Sequence, residues 1–270
     1  MAQEEKPGDS AQFIRDMDAE LLGWEQPEAH LREALEQDHL CLFAQPIVSL
    51  SAAGGIAMVE ILVRLREEEE RMLPPGEFLP AFEHYRMMGE LDRWVLRHAV
   101  RKLAGGGRTR MLSINASSQS IDEAGFGAYA AAQLLEAGLS PDSLVIEIEE
   151  SEMIDRQAAV ERFSAEVRDS GCRLMLDGFA RRSVSFEALR ALRPDYVKVD
   201  GAVTRKIASS GSAVAKMKAI QRLGELTGIG VVAECVEDEK VIAALKKLKV
   251  GYAQGFGVGK PEPIENLFNA

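Results

Sequence analysis

The stretch RLMLDGFARRSVSFEALRALRPDYVKVD, residues 173–200, carries the reading of the fold. It opens on a short apolar run, Arg173–Leu176, that ends at an acid, Asp177, and closes on a second run, Tyr196–Val199, that carries Lys198 and ends at Asp200. A longer segment suited to a helix lies between them, so the stretch reads as one β-α-β unit of a mainly parallel sheet. The unit recurs on both sides. Strands are predicted at Leu42–Val48, Met58–Leu65, Met111–Ile114, Leu144–Ile148 and Gly230–Ala233, with a weak one near Tyr252. Between them, Leu91–Leu103, Glu152–Asp169, Val203–Leu226 and Lys240–Lys247 show apolar residues at helical spacing with charges between. Eight strands with helices in about 240 residues fit a closed (β/α)8 barrel of the TIM type. A doubly wound open sheet uses similar units but gathers its ligand residues at one switch point. Here Asn115, Glu147, Asp177, Lys198 or Asp200, Glu234 and Gln254 each fall at the C-terminal end of a different strand, which favours the barrel.

The chain has 270 residues, 46% of them hydrophobic, enough for one large domain without disulfides. Residues 1–28 are polar apart from a weakly amphipathic stretch, Phe13–Leu22, and read as an extension carrying one helix; the barrel domain is assigned to 29–270. Cys41, Cys172 and Cys235 lie far apart inside apolar runs, as reduced core thiols would, which points to a cytoplasmic protein. No run approaches the roughly 18 apolar residues of a membrane span, and the first residues are too polar for a signal peptide. A formal charge of −11 repels a nucleic-acid polymer but is compatible with a small anionic ligand where metal ions invert the local field.

Glu60, Asn115, Glu147 and Asp177 would converge on one barrel mouth as an oxygen-donor cage suited to Mg2+ or Mn2+, without the His or Cys that zinc prefers. A strand-end acid paired with a neighbouring base is the blander reading of any one of them, and five strand ends in succession weigh against it. Lys198, inside an apolar strand, needs a counter-charge or a ligand; an ion pair with Asp200 would suffice. Glu234 and Glu237 flank the end of the seventh strand as base or ligand contacts, although Glu237 alone also suits a helix N-terminus.

With these residues in place, the chain resembles the EAL-domain family, cyclic di-GMP phosphodiesterases and their inactive receptor relatives, over about residues 29–270. The likeness runs in order through Gln45-Pro46-Ile47, Glu60-Ile61-Leu62-Val63-Arg64, Leu91-Asp92-Arg93-Trp94, Asn115-Ala116-Ser117, Glu147-Ile148-Glu149-Glu150-Ser151, Lys198-Val199-Asp200, Ala233-Glu234-Cys235-Val236-Glu237 and Tyr252-Ala253-Gln254-Gly255-Phe256. The resemblance implies that Glu60, Asn115, Glu147 and Asp177 hold the first metal ion. It sets Glu234 and Lys198 beside the attacking water, with Gln254 ordering that network. It places Gln45, Leu62, Arg64, Asp92, Asp200 and Glu237 against the dinucleotide, Arg64 on a phosphate and Asp92 and Glu237 on guanine. Glu150 anchors the loop after Asp177.

The pattern breaks in that loop. Family members that are active carry Asp-Asp-Phe-Gly-Thr-Gly, whereas this chain has Asp177-Gly178-Phe179-Ala180-Arg181-Arg182, so an aspartate that helps bind the second ion is replaced by Gly178. One metal site is therefore expected and the second lacks a ligand. Arg181 and Arg182 add two cations that would neutralise phosphate without a metal, or serve as solvated loop residues. The favoured expectation is a cyclic di-GMP receptor or very slow phosphodiesterase, coupled to a protein partner or to its own homodimer. Its rivals are an active phosphodiesterase yielding linear pGpG and a protein-interaction module that binds no nucleotide.

Overall fold

Residues 50–55 are too few for a parallel crossover, which takes about a dozen residues, so β1 (Leu40–Ser49) and β2 (Ile56–Arg66) form an antiparallel hairpin. Gly54 and Gly55, at φ +61° and +93°, supply the left-handed backbone that turns the chain, and the Ser49 N–H donates to the Gly55 carbonyl. The computed structural model describes residue 24 and residues 26–268, except 38, 52–53, 67–71, 108, 110 and 183–185. After β2 come the short β3 (Met72–Leu73), then β4 (Leu112–Asn115), β5 (Leu144–Glu149), β6 (Arg173–Phe179), β7 (Tyr196–Val199), β8 (Gly230–Ala233), β9 (Tyr252–Gln254) and the short β10 (Glu262–Pro263). From β2 through β4 to β9 the main strands pair in parallel, and β1 closes the ring by pairing antiparallel with both β2 and β9. The result is the eight-stranded α/β barrel the sequence predicts, with one strand reversed.

Helices between the parallel strands cover the barrel. The predicted helix over Leu91–Leu103 extends to Met88–Ala104, with Leu91, Trp94, Leu96, Ala99 and Leu103 on its buried face. Two predicted helices are each split: Glu150–Asp155 breaks from Gln157–Asp169 at Arg156, and Gly201–Thr204 precedes Gly211–Thr227. A helix over Pro27–Glu36 buries Leu31 and Ala34 in the same core, and Trp24 stacks on His30. A boundary after residue 28 thus falls inside this helix; the stretch Phe13–Leu22 lies outside the described residues. Among the described residues, no helix is long and apolar enough to cross a membrane. All three cysteines are free, but only Cys172 is a buried core thiol; Cys41 and Cys235 are partly exposed.

Inside the barrel, Ile47, Met58, Val145, Met175, Tyr196 and Val232 form an apolar floor. Side chains two apart on a strand share a face. Glu60, Glu147, Asp177, Lys198 and Glu234 follow Met58, Val145, Met175, Tyr196 and Val232 by two residues each, so the pleat that buries the floor raises these polar groups above it. Gln254 follows Tyr252, which packs on the floor, in the same way. The polar layer is therefore a direct product of strand alternation over a packed base.

Candidate active site

At the centre of this layer the Lys198 ammonium, 2% exposed, donates to Glu60 Oε2 at 2.9 Å and Glu147 Oε2 at 2.5 Å, with Asp177 Oδ1 3.9 Å away. Glu60 also accepts from Asn115 Nδ2 at 3.0 Å and Gln254 Nε2 at 2.6 Å. Gln254 lies 3.3 Å from Gln45 Oε1, and Gln45 donates to the Gly259 carbonyl. The partner of Lys198 is therefore not Asp200, the pairing the blander reading offered. Asp200 caps the helix Gly201–Thr204 by accepting from the Ala202 N–H, and its Oδ2 accepts from Arg181 Nε at 2.6 Å. Glu234 accepts from the Gly201 N–H at 2.6 Å, which fixes its carboxylate beside the same strand ends.

Three carboxylates around one ammonium leave a deficit of positive charge. Burial pushes the Glu147 carboxyl up to about 8, the nearby Glu60 and Asp177 adding to the rise and Lys198 opposing it. Burial raises Asp177 as well. For Glu60 the same burial is outweighed by Lys198 and by the bonds from Gln254 and Asn115, which hold it below its ordinary value. The three acids in turn hold the Lys198 ammonium charged despite complete burial. Glu147 Oε1 is buried with no hydrogen-bond partner among the described residues. Among the described residues, no three His, Cys, Asp or Glu side chains are set around one point as ion ligands, because Glu60, Glu147 and Asp177 close on Lys198 instead. The donors nonetheless fit a hard divalent cation in kind and in charge: oxygen ligands only, one of them an orphaned carboxylate oxygen.

Further along the inward face of β2 stand Leu62 and Arg64, whose guanidinium lies 5.6 Å from the centre of the Phe43 ring. Asp92, buried in the helix Met88–Ala104, takes three bonds on Oδ2, from the Ser117 N–H, the Ser117 hydroxyl and the Ser120 hydroxyl, at 2.6–2.9 Å. These serines are partners the sequence reading missed; Ser117 two residues beyond Asn115 was the available signal, since serine caps the helix that starts there. A cavity of about 460 Å³ joins the two groups, lined by Leu62, Asp92, Asn115, Ser117, Glu147 and Glu149 among others. Glu237 is exposed on the loop after β8. A larger cavity, about 570 Å³, opens at the opposite end of the barrel by Thr109, Ser140 and the Arg173–Asp142 pair, and among the described residues it brings together no comparable set of acids. Chemistry, not size, selects the mouth.

After Asp177 the loop is held by Glu150, whose two oxygens accept from the Ala180 N–H at 3.0 Å and the Arg182 N–H at 2.6 Å. Glu150 thus grips the backbone on both sides of Arg181. Gly178 adopts φ +65°, and a β-carbon there would lie 3.4 Å from the Arg181 guanidinium carbon.

Barrel and mouth together define an α/β-barrel protein with an acid-lined site around a buried lysine. Residues 28–261 match the EAL domain family, and the chain belongs to it. It is 32% identical over 237 residues to cyclic di-GMP phosphodiesterase PdeB of Shewanella oneidensis, covering 87% of this chain and 28% of that protein. It is 29% identical to cyclic di-GMP phosphodiesterase PdeF of Escherichia coli, covering 88% of this chain and 32% of that one. The chain thus spans about a third or less of either relative. Among solved structures, the PaMucR phosphodiesterase in complex with c-di-GMP superposes with a TM-score of 0.80 at 29% identity, over 89% of this chain and 99% of that one. The Xanthomonas citri FimX EAL domain in complex with c-di-GMP gives 0.81 at 25% identity, over 94% and 97%.

Proposed function

We propose that this chain binds cyclic di-GMP at the barrel mouth and hydrolyses it slowly or not at all. The observation that carries this reading is the Asp177 loop. Gly178 offers no side chain to a second ion, and the guanidinium of Arg181 stands within van der Waals contact of the point where one would begin. Hydrolysis by two ions needs both the attacking and the leaving oxygen stabilised. Losing about 4 kcal/mol of that stabilisation slows turnover roughly a thousandfold, while contacts made in the ground state survive.

Those contacts remain available. Arg64 suits a phosphate, and carboxylates accept from the N1 and N2 edge of guanine. Asp92 has Oδ1 to offer, its Oδ2 being filled by Ser117 and Ser120, and Glu237 is exposed on the loop after β8. One Mg2+ or Mn2+ held by Glu60, Asn115, Glu147 and Asp177 would polarise the phosphodiester and acidify a bound water. Around it, Lys198 and Gln254 fix the Glu60 carboxylate. Glu234, oriented by the Gly201 N–H and with its proton affinity raised by burial, is suited to accept a proton from water.

Calorimetric titration with cyclic di-GMP, in Mg2+ and in Mn2+, tests the reading; saturable binding with negligible turnover is expected, and absence of binding at micromolar ligand rejects it. The names of the relatives favour a second reading, an active phosphodiesterase producing pGpG. Rapid turnover with Mn2+ that disappears in Glu60→Ala would establish that reading over the first.

A further inference from the structure

We propose that Arg181 is a built-in cation that binds a phosphate of the dinucleotide where the second ion's aspartate is missing, so that nucleotide binding does not require divalent metal. The inference rests on the reading of the mouth as a cyclic di-GMP pocket. Two arginines enter the altered loop, and the structure separates them. Arg182 directs its guanidinium to Asp155, 3.3 Å away on the exposed end of a helix. Arg181 turns instead to the strand ends: its Nε donates to Asp200 at 2.6 Å, and a terminal nitrogen lies 3.8 Å from Glu149, a residue that lines the ligand cavity.

The backbone that carries Arg181 is clamped on both sides. Glu150 binds the N–H groups of residues 180 and 182, and the Lys216 ammonium donates to the Ala180 carbonyl. Ala180 and Gly178 adopt φ +73° and +65°, a tight turn that swings the next side chain back over Gly178. With Nε pinned and the backbone held, much of the ordering cost of binding is met in advance. Glu149 lies beyond hydrogen-bond reach of the guanidinium, which is 55% exposed, so its terminal N–H groups remain available to two oxygens of one phosphate. A guanidinium keeps its charge at every working pH. In a mouth lined by Glu60, Glu147, Asp177 and Glu234, a fixed positive charge offsets the repulsion a phosphate would otherwise meet.

The test is the affinity of the full chain for cyclic di-GMP, by calorimetry, in Mg2+ and in excess EDTA. Wild type should bind in both, with Kd in EDTA within about threefold of that in Mg2+, and Arg181→Ala should weaken binding in EDTA by about tenfold or more. Arg182→Ala should behave as wild type. Arg181→Gln, which keeps a donor for Asp200 but no charge, should show the same loss in EDTA, and melting curves confirm that both Arg181 variants are folded. Unchanged affinity of either folded Arg181 variant in EDTA would overturn the proposal, as would wild-type binding that needs Mg2+. No binding by wild type in either buffer would instead reject the pocket itself.

Discussion

Lys198 and Glu147 form a buried pair at the heart of the mouth, 2.5 Å long and closed to solvent on both sides. Removing one partner of such a pair costs about 3–5 kcal/mol, because the other is left charged and buried. Here the cost falls unevenly. Glu147, pushed up to about 8, is largely protonated at neutral pH and leaves little charge behind, whereas Glu60, held below its ordinary value by the same lysine, stays charged. Lys198→Met should therefore lose about 3 kcal/mol or more in urea unfolding at neutral pH. Adding Glu60→Gln should recover more of that loss than adding Glu147→Gln. A single variant within about 1 kcal/mol of wild type would contradict the arrangement described.

Restoring the missing aspartate is the obvious repair, and the Arg181 guanidinium stands in its way. An aspartate at 178 would meet that guanidinium 3.4 Å from its own β-carbon, and would also sit at φ +65°, which costs a non-glycine residue about 1 kcal/mol. Gly178→Asp alone should thus form an internal ion pair and raise turnover little. The double variant Gly178→Asp, Arg181→Ala should raise the rate of pGpG formation in Mn2+ by at least about tenfold over the single one. Equal rates in the two variants would show that Arg181 does not block the repair.

Binding of a divalent ion can be measured apart from turnover. Asp177 is the most accessible acid facing Lys198, its side chain 20% exposed, so its replacement should disturb the folded protein least. An ion that binds only the native state stabilises it by about 2.7 kcal/mol at a hundredfold excess over Kd. Millimolar Mn2+ should raise the melting temperature of wild type and leave that of Asp177→Asn unchanged, the two proteins melting together in EDTA. A Mn2+ shift that persists in Asp177→Asn would remove this residue from the ligand set.

Much of this arrangement was legible in the sequence because it follows from period-two alternation. Glu60, Glu147, Asp177, Lys198, Glu234 and Gln254 each stand two positions beyond an apolar floor residue, so Glu147 after Val145 or Lys198 after Tyr196 is visible as pattern alone. The reversed β1 was legible too, in the six residues that end in Gly54-Gly55, but counting strands without measuring connections passes over it. Pairings across the barrel were not: Lys198 lies two residues from Asp200 in sequence yet binds Glu60, 138 residues away, because Asp200 has left the strand to cap a helix. Nor could spacing tell Arg181 from Arg182, since the direction of each side chain is set by the turn at Gly178 and the grip of Glu150.

Asp92 offers a prediction in which stability and ligand affinity move apart. Burial raises its carboxyl above the ordinary 3.8 even though three donors from Ser117 and Ser120 oppose the rise. A carboxyl whose folded value exceeds its unfolded one binds its proton more tightly in the native state. Its contribution to stability is thus complete below 3.8 and is lost as the pH climbs through the folded value. Asp92→Asn, with an amide oxygen that can still accept from both serines, keeps the neutral form at every pH. Urea midpoints measured from acid to neutral pH should show the variant gaining on wild type as the pH rises, with no loss at neutrality. Its affinity for cyclic di-GMP should nevertheless fall by about tenfold, since a charged acceptor of a guanine hydrogen bond is worth more than a neutral one. A variant that is less stable at neutral pH would mean that the serines require the charge; one that binds as tightly as wild type would place guanine elsewhere in the mouth.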